Sequence, residues 1–387
     1  MRVLVTCVPQ TGHIVPLLPL AEAFSAAGAE VLWASGEDAA GPVTARGLTF
    51  RTAGPSFGEW YGALVGRTRG APGDGLAPDK VERYFLPRLF GEVGTALMLD
   101  DLLEVARDFQ PQLVVFDPLT YAGPLVAALS GARGVVHTVG PFTDRTVTDL
   151  VADAVSPIWR QQGLDVPEHA GIYAGTVVTI CPPSLDPAIA MTPGARTMRP
   201  TSLPVPAAAP PPDLPAGLWE RPVVYLTLGT FSNNPSVFSL LLEALGDVPV
   251  NVVATIGRDN DPASLGSVPP NAHVAQFIPQ HELLPRCAAA VHHAGAGTAF
   301  GILAHKLPSV AVPQGADNFA IAQRLHDAGA ARTLMPGDAT RDAVRDATVR
   351  VLDDAVHRQA AHRLGDEIAA MPSPDEVAAE LLASVTQ

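Results

Sequence analysis

The sequence predicts an α/β protein of two parallel-sheet domains in tandem, and three observations carry that prediction. At 387 residues the chain exceeds what one ordinary hydrophobic core accommodates. Residues 2–35 read strand–helix–strand, the unit from which parallel sheets are built. A proline-dominated stretch, "RPTSLPVPAAAPPPDLPAGLWERP" (199–222), then breaks the pattern, and the same alternation restarts beyond it.

Taken in order, "RVLVTCV" (2–8) is a short Val-rich apolar run ended by Pro9 and Gly12, as a buried strand should be. Leu17, Leu20, Ala21 and Phe24 then fall at helical spacing and form one apolar stripe. Pro16 and Pro19 are placed in the first turn of that helix, where a missing N–H costs nothing. "AEVLWAS" (29–35), "QLVVFD" (112–117) and "GVVHTVG" (134–140) are further strands, with the helix-like "YAGPLVAALSG" (121–131) between the last two. Residues 55–100 read as less regular, and "GRTRGAPGDG" (66–75) as a mobile loop. The proline-rich stretch cannot join a sheet and reads as an interdomain linker. After it come the strand "PVVYLTLGT", the helix "VFSLLLEAL", and the strands "VNVVATIG", "AHVAQFI", "AAAVHHAG" and "PSVAVPQ". "DEVAAELLASV" (375–385) is an amphipathic helix. The expected division is 1–200 for the first domain, 201–220 for the linker, 221–370 for the second domain, and a terminal helix at 371–387 that could pack back on the first domain.

Composition narrows the partners. Apolar residues make up 47% and charged residues 17% of the chain, which describes a globular protein. A net charge of −14 argues against nucleic acid or an anionic membrane surface. Cys7, Cys181 and Cys287 stand far apart without a CxxC pair, as befits a reducing compartment. The N-terminus has no signal-peptide layout, and no apolar run is long enough to span a bilayer, so a soluble cytoplasmic protein is expected.

Within this frame, "HHAGAGT" (292–298) follows a strand and opens an apolar helix. Amides at a helix N-terminus lack internal acceptors and sit at the positive end of the dipole. Gly295 and Gly297 would let a phosphate approach the backbone, with Thr298 and His293 as added donors. A tight turn without any ligand satisfies the same pattern, and His292 reads as a packed strand residue.

Residues 276–318, "QFIPQHELLPRCAAAVHHAGAGTAFGILAHKLPSVAVPQGADN", resemble the donor-nucleotide signature of family 1, GT-B-fold glycosyltransferases, in particular the bacterial branch that decorates natural products. "TGHIVPLLPLAEAFSAAGAEV" and "VVYLTLGT" extend the likeness to both halves of the chain. The resemblance implies two Rossmann-like domains facing across a cleft, with a nucleotide-sugar donor held by the second and a small-molecule aglycone acceptor by the first. It implies that Phe277 stacks on the nucleobase, that backbone groups of Ile278 bond the base edge, and that Gln280 contacts the sugar of the nucleotide. His293, Gly295, Gly297 and Thr298 fall on the diphosphate turn, with Thr230 approaching the same phosphates. Asp317 and Asn318 lie where the donor sugar's hydroxyls are gripped. Gly301 stands where plant relatives place a ribose-binding glutamate. That gap favours a dTDP-sugar, with a UDP-sugar left open. Asn318 stands where glutamine is common, which leaves the sugar undetermined.

The resemblance also singles out His13, in "QTGHIVPL", as general base: an imidazole titrating near neutrality suits removal of a hydroxyl proton. It follows the first strand, on the sheet edge where ligands bind, and Asp117 ends another strand on that edge and could orient its ring. As plain structure, His13 reads as a helix-start residue and Asp117 as a turn residue before Pro118. Phe57, Trp60, Tyr61, His137 and Phe142 are candidate acceptor contacts, although Trp60 fits a core position equally well. No metal site or cofactor is evident, since "DND" (259–261) reads as a polar loop. The resulting expectation is an inverting, metal-independent transfer to an apolar natural-product aglycone, as in antibiotic biosynthesis. A nucleotide-sugar epimerase on the same fold and a non-catalytic homologue serving a partner subunit are the alternatives. A homodimer is left open.

Overall fold

The computed structural model describes residues 1–68, 72, 76, 78–142, 144–189, 191–201, 214–229, 234–257, 260–315 and 317–385. Contacts divide the chain into two compact units. The first comprises Met1–Cys181, Pro187–Arg199 and Pro372–Gln387, and the second Pro182–Asp186 and Pro200–Met371. Most of the linker expected at 201–220 falls outside the described residues.

The first unit holds β1 (Arg2–Thr6), β2 (Glu30–Ser35), β3 (Thr49–Thr52), β4 (Leu113–Phe116), β5 (Arg133–Thr138), β6 (Thr176–Thr179) and β7 (Arg196–Thr197). They form one parallel sheet in the order β3-β2-β1-β4-β5-β6-β7. At the centre of the sheet β4 is apolar throughout and all four of its residues are buried, as expected of a strand covered on both faces. The strand order reverses between β1 and β4, the point at whose carboxyl edge open α/β sheets bind ligands.

The helix after β1 runs Thr11–Ala26. Pro16 and Pro19 therefore lie in its interior, not in its first turn, and each removes an internal hydrogen bond. Leu17, Leu18, Leu20 and Phe24 are buried, and that burial sustains the helix despite the prolines. The terminal helix, Pro374–Val385, packs against Thr11–Ala26. Arg133 donates to the Ser384 carbonyl at 2.9 Å, and Arg196 meets Glu380 at 2.5 Å.

The described residues of 55–100 are mostly helical rather than irregular. Phe57–Arg67 starts from a capping box in which Ser56 accepts from the Glu59 amide and the Glu59 carboxylate accepts from the Ser56 N–H. Pro78–Phe85, a wide π-helical stretch Leu86–Gly94 and Thr95–Phe109 continue the run. Most of the loop read at 66–75 lies outside the described residues.

The second unit holds β8 (Val223–Thr227), β9 (Asn251–Thr255), β10 (Ala272–Ala275), β11 (Ala289–His292), β12 (Ser309–Ala311) and β13 (Ala331–Thr333). Its parallel order, β10-β9-β8-β11-β12-β13, reverses between β8 and β11. The short segment Pro182–Asp186, which the sequence assigns to the first domain, belongs here for a physical reason. Arg324 reaches the Asp186 carboxylate at 3.0 Å and the Leu185 carbonyl at 2.6 Å, and the Ser184 amide donates to Glu367 at 2.9 Å. Among the described residues, no helix is long and apolar enough to cross a membrane.

Candidate active site

Each unit carries its chemistry where its strand order reverses. In the first, β1 and β4 pair with Thr6 beside Phe116, so the residues following them are neighbours. His13 lies in the first turn of the helix after β1, and Asp117 directly follows β4. His13 Nδ1 is 2.5 Å from Asp117 Oδ2. Asp117 is fully buried, and its carboxylate also accepts from the amides of Val8 at 3.2 Å and Leu119 at 3.1 Å. Burial works against its charge. The charge and hydrogen bond of His13, with the Val8 amide, outweigh that penalty and hold its pKa below the ordinary 3.8. Nδ1 is thereby assigned to the carboxylate, and Nε2 becomes the basic nitrogen of the ring.

In the second unit the loops after β8 and β11 meet at His293. The ring is boxed by two glycines: a Cβ on Gly229 would come within 2.5 Å of His293 Nε2, and one on Gly295 within 2.3 Å. Gly229 also has φ +79°, a conformation that favours glycine. Side chains are thus excluded at Gly229 and Gly295 because an imidazole fills their space, whereas Gly297 has open space where a Cβ would stand. His293 Nδ1 is buried. Burial lowers the ring's pKa to about 4, against a backbone hydrogen bond with Thr227 that raises it, so at neutral pH the ring is uncharged. His292 answers as the packed residue: its Nδ1 accepts from the Ala294 amide at 3.1 Å, its Nε2 meets Ser309 at 3.1 Å, and burial with the adjacent His293 lowers its pKa to about 3.

The helix Ala296–Ala304 begins at Gly295 without a side-chain cap, which leaves its first-turn amides open to an anion. Thr298 sits in that turn. Gln280 Nε2 is 3.3 Å from Thr298 Oγ1 and 3.3 Å from the Tyr225 hydroxyl, which in turn meets Thr255 Oγ1 at 2.8 Å. Phe277 is 38% exposed, whereas the Ile278 side chain is buried in the apolar cluster around Tyr225. Asp317 is exposed at the start of the helix Asn318–Asp327, and Asn318 is buried. Thr230 lies outside the described residues. Tyr225, Thr255 and Gly229 were not singled out by the sequence, because a strand tyrosine and threonine carry no motif until the fold brings Gln280 beside them. At 259–261, Asp259 lies outside the described residues, and Asp261 caps a short turn through the Ala263 amide at 2.9 Å.

The acceptor candidates separate by burial. Tyr61 is exposed, and Phe57 is half-buried against Trp60 and Phe90 at centroid distances of 6.0 and 6.2 Å. Phe142 is half-buried and stacks on Tyr173 at 5.3 Å. Trp60 is 1% exposed with its ring against Gly94, where a Cβ would come within 2.4 Å, which places it in the core of the first unit. His137 is likewise buried within β5, and desolvation lowers its pKa to about 4.

One parallel-sheet unit thus carries an imidazole–carboxylate pair, and the other an uncapped, glycine-lined helix start. Residues 83–205 match the N-terminal domain, and residues 239–384 the C-terminal domain, of the Erythromycin biosynthesis protein CIII-like family. The chain is similar to an L-demethylnoviosyl transferase of Streptomyces niveus, at 33% identity over 99% of this chain and 98% of that one. It is also similar to the solved glycosyltransferase SnogD of Streptomyces nogalater, at 31% identity and TM-score 0.77 over 100% and 99% of the two chains. A third likeness is to the glycosyltransferase VinC, solved in complex with dTDP, at 28% identity and TM-score 0.77 over the full length of both. The chain belongs to the Erythromycin biosynthesis protein CIII-like family and is a natural-product glycosyltransferase of GT-B fold.

Proposed function

We propose that this enzyme takes a sugar from a nucleotide-sugar donor, with a dTDP-sugar favoured, and passes it with inversion to an apolar natural-product aglycone. The observation that carries the mechanism is the 2.5 Å contact between His13 Nδ1 and a buried, multiply hydrogen-bonded Asp117. With its proton on Nδ1 directed to Asp117, His13 uses Nε2 to take the proton of the acceptor hydroxyl as that oxygen attacks the anomeric carbon. Asp117 stabilises the imidazolium that results and keeps the ring oriented. The bond to the nucleoside diphosphate breaks on the opposite face, and one in-line displacement inverts the anomeric centre.

The leaving diphosphate is received by the open amides at the start of Ala296–Ala304, the Thr298 hydroxyl and the neutral N–H of His293. These dipoles do the work that a divalent ion does in other glycosyltransferases, so turnover is expected to survive a chelator unchanged. The resemblance to VinC solved with dTDP, and Gly301 in place of a ribose-binding carboxylate, favour a deoxyribose donor.

The test is His13→Ala. Turnover should fall by about two orders of magnitude or more while dTDP affinity stays near wild type. Unchanged turnover removes His13 from the mechanism. A thermal-shift panel of dTDP, UDP and GDP checks the donor, and stronger stabilisation by UDP or GDP would overturn the dTDP reading.

A further inference from the structure

A hydrogen-bond chain of Thr255, Tyr225, Gln280 and Thr298 stands behind the phosphate turn. Gln280 carries two N–H donors on Nε2, and both have partners: the Tyr225 hydroxyl at 3.3 Å and Thr298 Oγ1 at 3.3 Å. Tyr225 has a single hydroxyl proton. Its oxygen accepts from Gln280 and meets Thr255 Oγ1 2.8 Å away, a pair in which either hydroxyl can donate, and the Thr227 side chain is a further partner. Thr298, whose oxygen accepts from Gln280, keeps its own hydroxyl proton to donate, and it stands in the first turn of the uncapped helix. The Tyr225 ring is 1% exposed and locked on β8, so the anchor of this chain is rigid.

We propose that Tyr225 is a positioning residue of the donor site, acting through Gln280 to hold the Thr298 hydroxyl as a donor toward the diphosphate. The inference rests on the donor reading above and extends it to residues that touch no ligand.

Calorimetric titration with dTDP and with thymidine tests this on wild type, Tyr225→Phe, Gln280→Ala, Thr298→Val and the Tyr225→Phe/Gln280→Ala double variant. Tyr225→Phe keeps the ring and removes one hydroxyl. It should weaken dTDP about three- to tenfold, the range of a single hydrogen bond, and leave thymidine within about twofold. The double variant should bind dTDP no more weakly than Gln280→Ala alone, because both changes break one chain. Thr255→Val, one link further out, should act in the same direction, and it serves if Tyr225→Phe folds poorly. Unaltered dTDP affinity in Tyr225→Phe, equal losses for dTDP and thymidine, or additive losses in the double variant would each overturn the proposal. Should Thr298→Val and Gln280→Ala also bind dTDP like wild type, the donor reading fails with it. Loss in those two alone fails only the role of Tyr225.

Discussion

Three buried histidines, His137, His292 and His293, are held neutral by desolvation, with pKa values near 4, 3 and 4. In the unfolded chain each would titrate near 6.5. Below that pH the unfolded state binds protons that the native state refuses, so stability falls as the pH drops from about 6.5 to 4, by about 1.4 kcal/mol per pH unit for each histidine. Asp117 adds a second loss at lower pH. Its depressed pKa stabilises the fold above the ordinary carboxylate range, and that contribution disappears as the pH falls through the native value. Denaturant midpoints at pH 7 and pH 5 check the histidine window, and equal midpoints would show that these rings protonate freely in the native state. At Gly229, two constraints coincide, φ of +79° and a virtual Cβ 2.5 Å from His293. Gly229→Ala should therefore displace the ring and weaken dTDP by about tenfold or more, given a strain of about 1–3 kcal/mol, as read by calorimetry.

Among the elements, the helices Phe57–Arg67 and Leu86–Gly94 were the hardest to read from sequence, and their glycines explain why. Gly58, Gly62, Gly66, Gly91 and Gly94 all lie inside them and suppress helix propensity. Gly94 is there because Trp60 occupies the space of its Cβ at 2.4 Å. That is a contact between segments 34 residues apart, which no local pattern encodes. The capping box at Ser56 and Glu59 was a legible local signal for the start of the first helix. Gly94→Ala tests which effect wins. Better propensity is worth about 1 kcal/mol at most, whereas overpacking against a rigid indole costs about 1–3 kcal/mol. A net loss of stability in urea is expected. A more stable variant would mean that Trp60 moves aside cheaply.

On the scale of the whole molecule, the chain ends in the unit where it began. The helix Pro374–Val385 buries Val377, Ala378 and Leu381 and lies on the helix that carries His13. A chain ending at Ser373 should lose about 3–5 kcal/mol from that unit through the lost apolar burial. It should keep its dTDP affinity, because the proposed donor residues belong to the other unit. Equal thermal stability of the shortened and full-length chains would refute this role of the terminal helix.

From sequence alone came the strand–helix alternation, the two parallel sheets, the glycine turn and the family resemblance, since all of these reside in local periodicity or in short motifs. His13 and Asp117 were each named there, but 104 residues separate them, and only the pairing of β1 with β4 brings them to 2.5 Å. The neutrality of His293, the core position of Trp60 and the Tyr225–Gln280–Thr298 chain were likewise decided by tertiary structure. Burial and hydrogen-bond direction depend on what packs against a residue, and in a parallel sheet those neighbours come from distant parts of the chain.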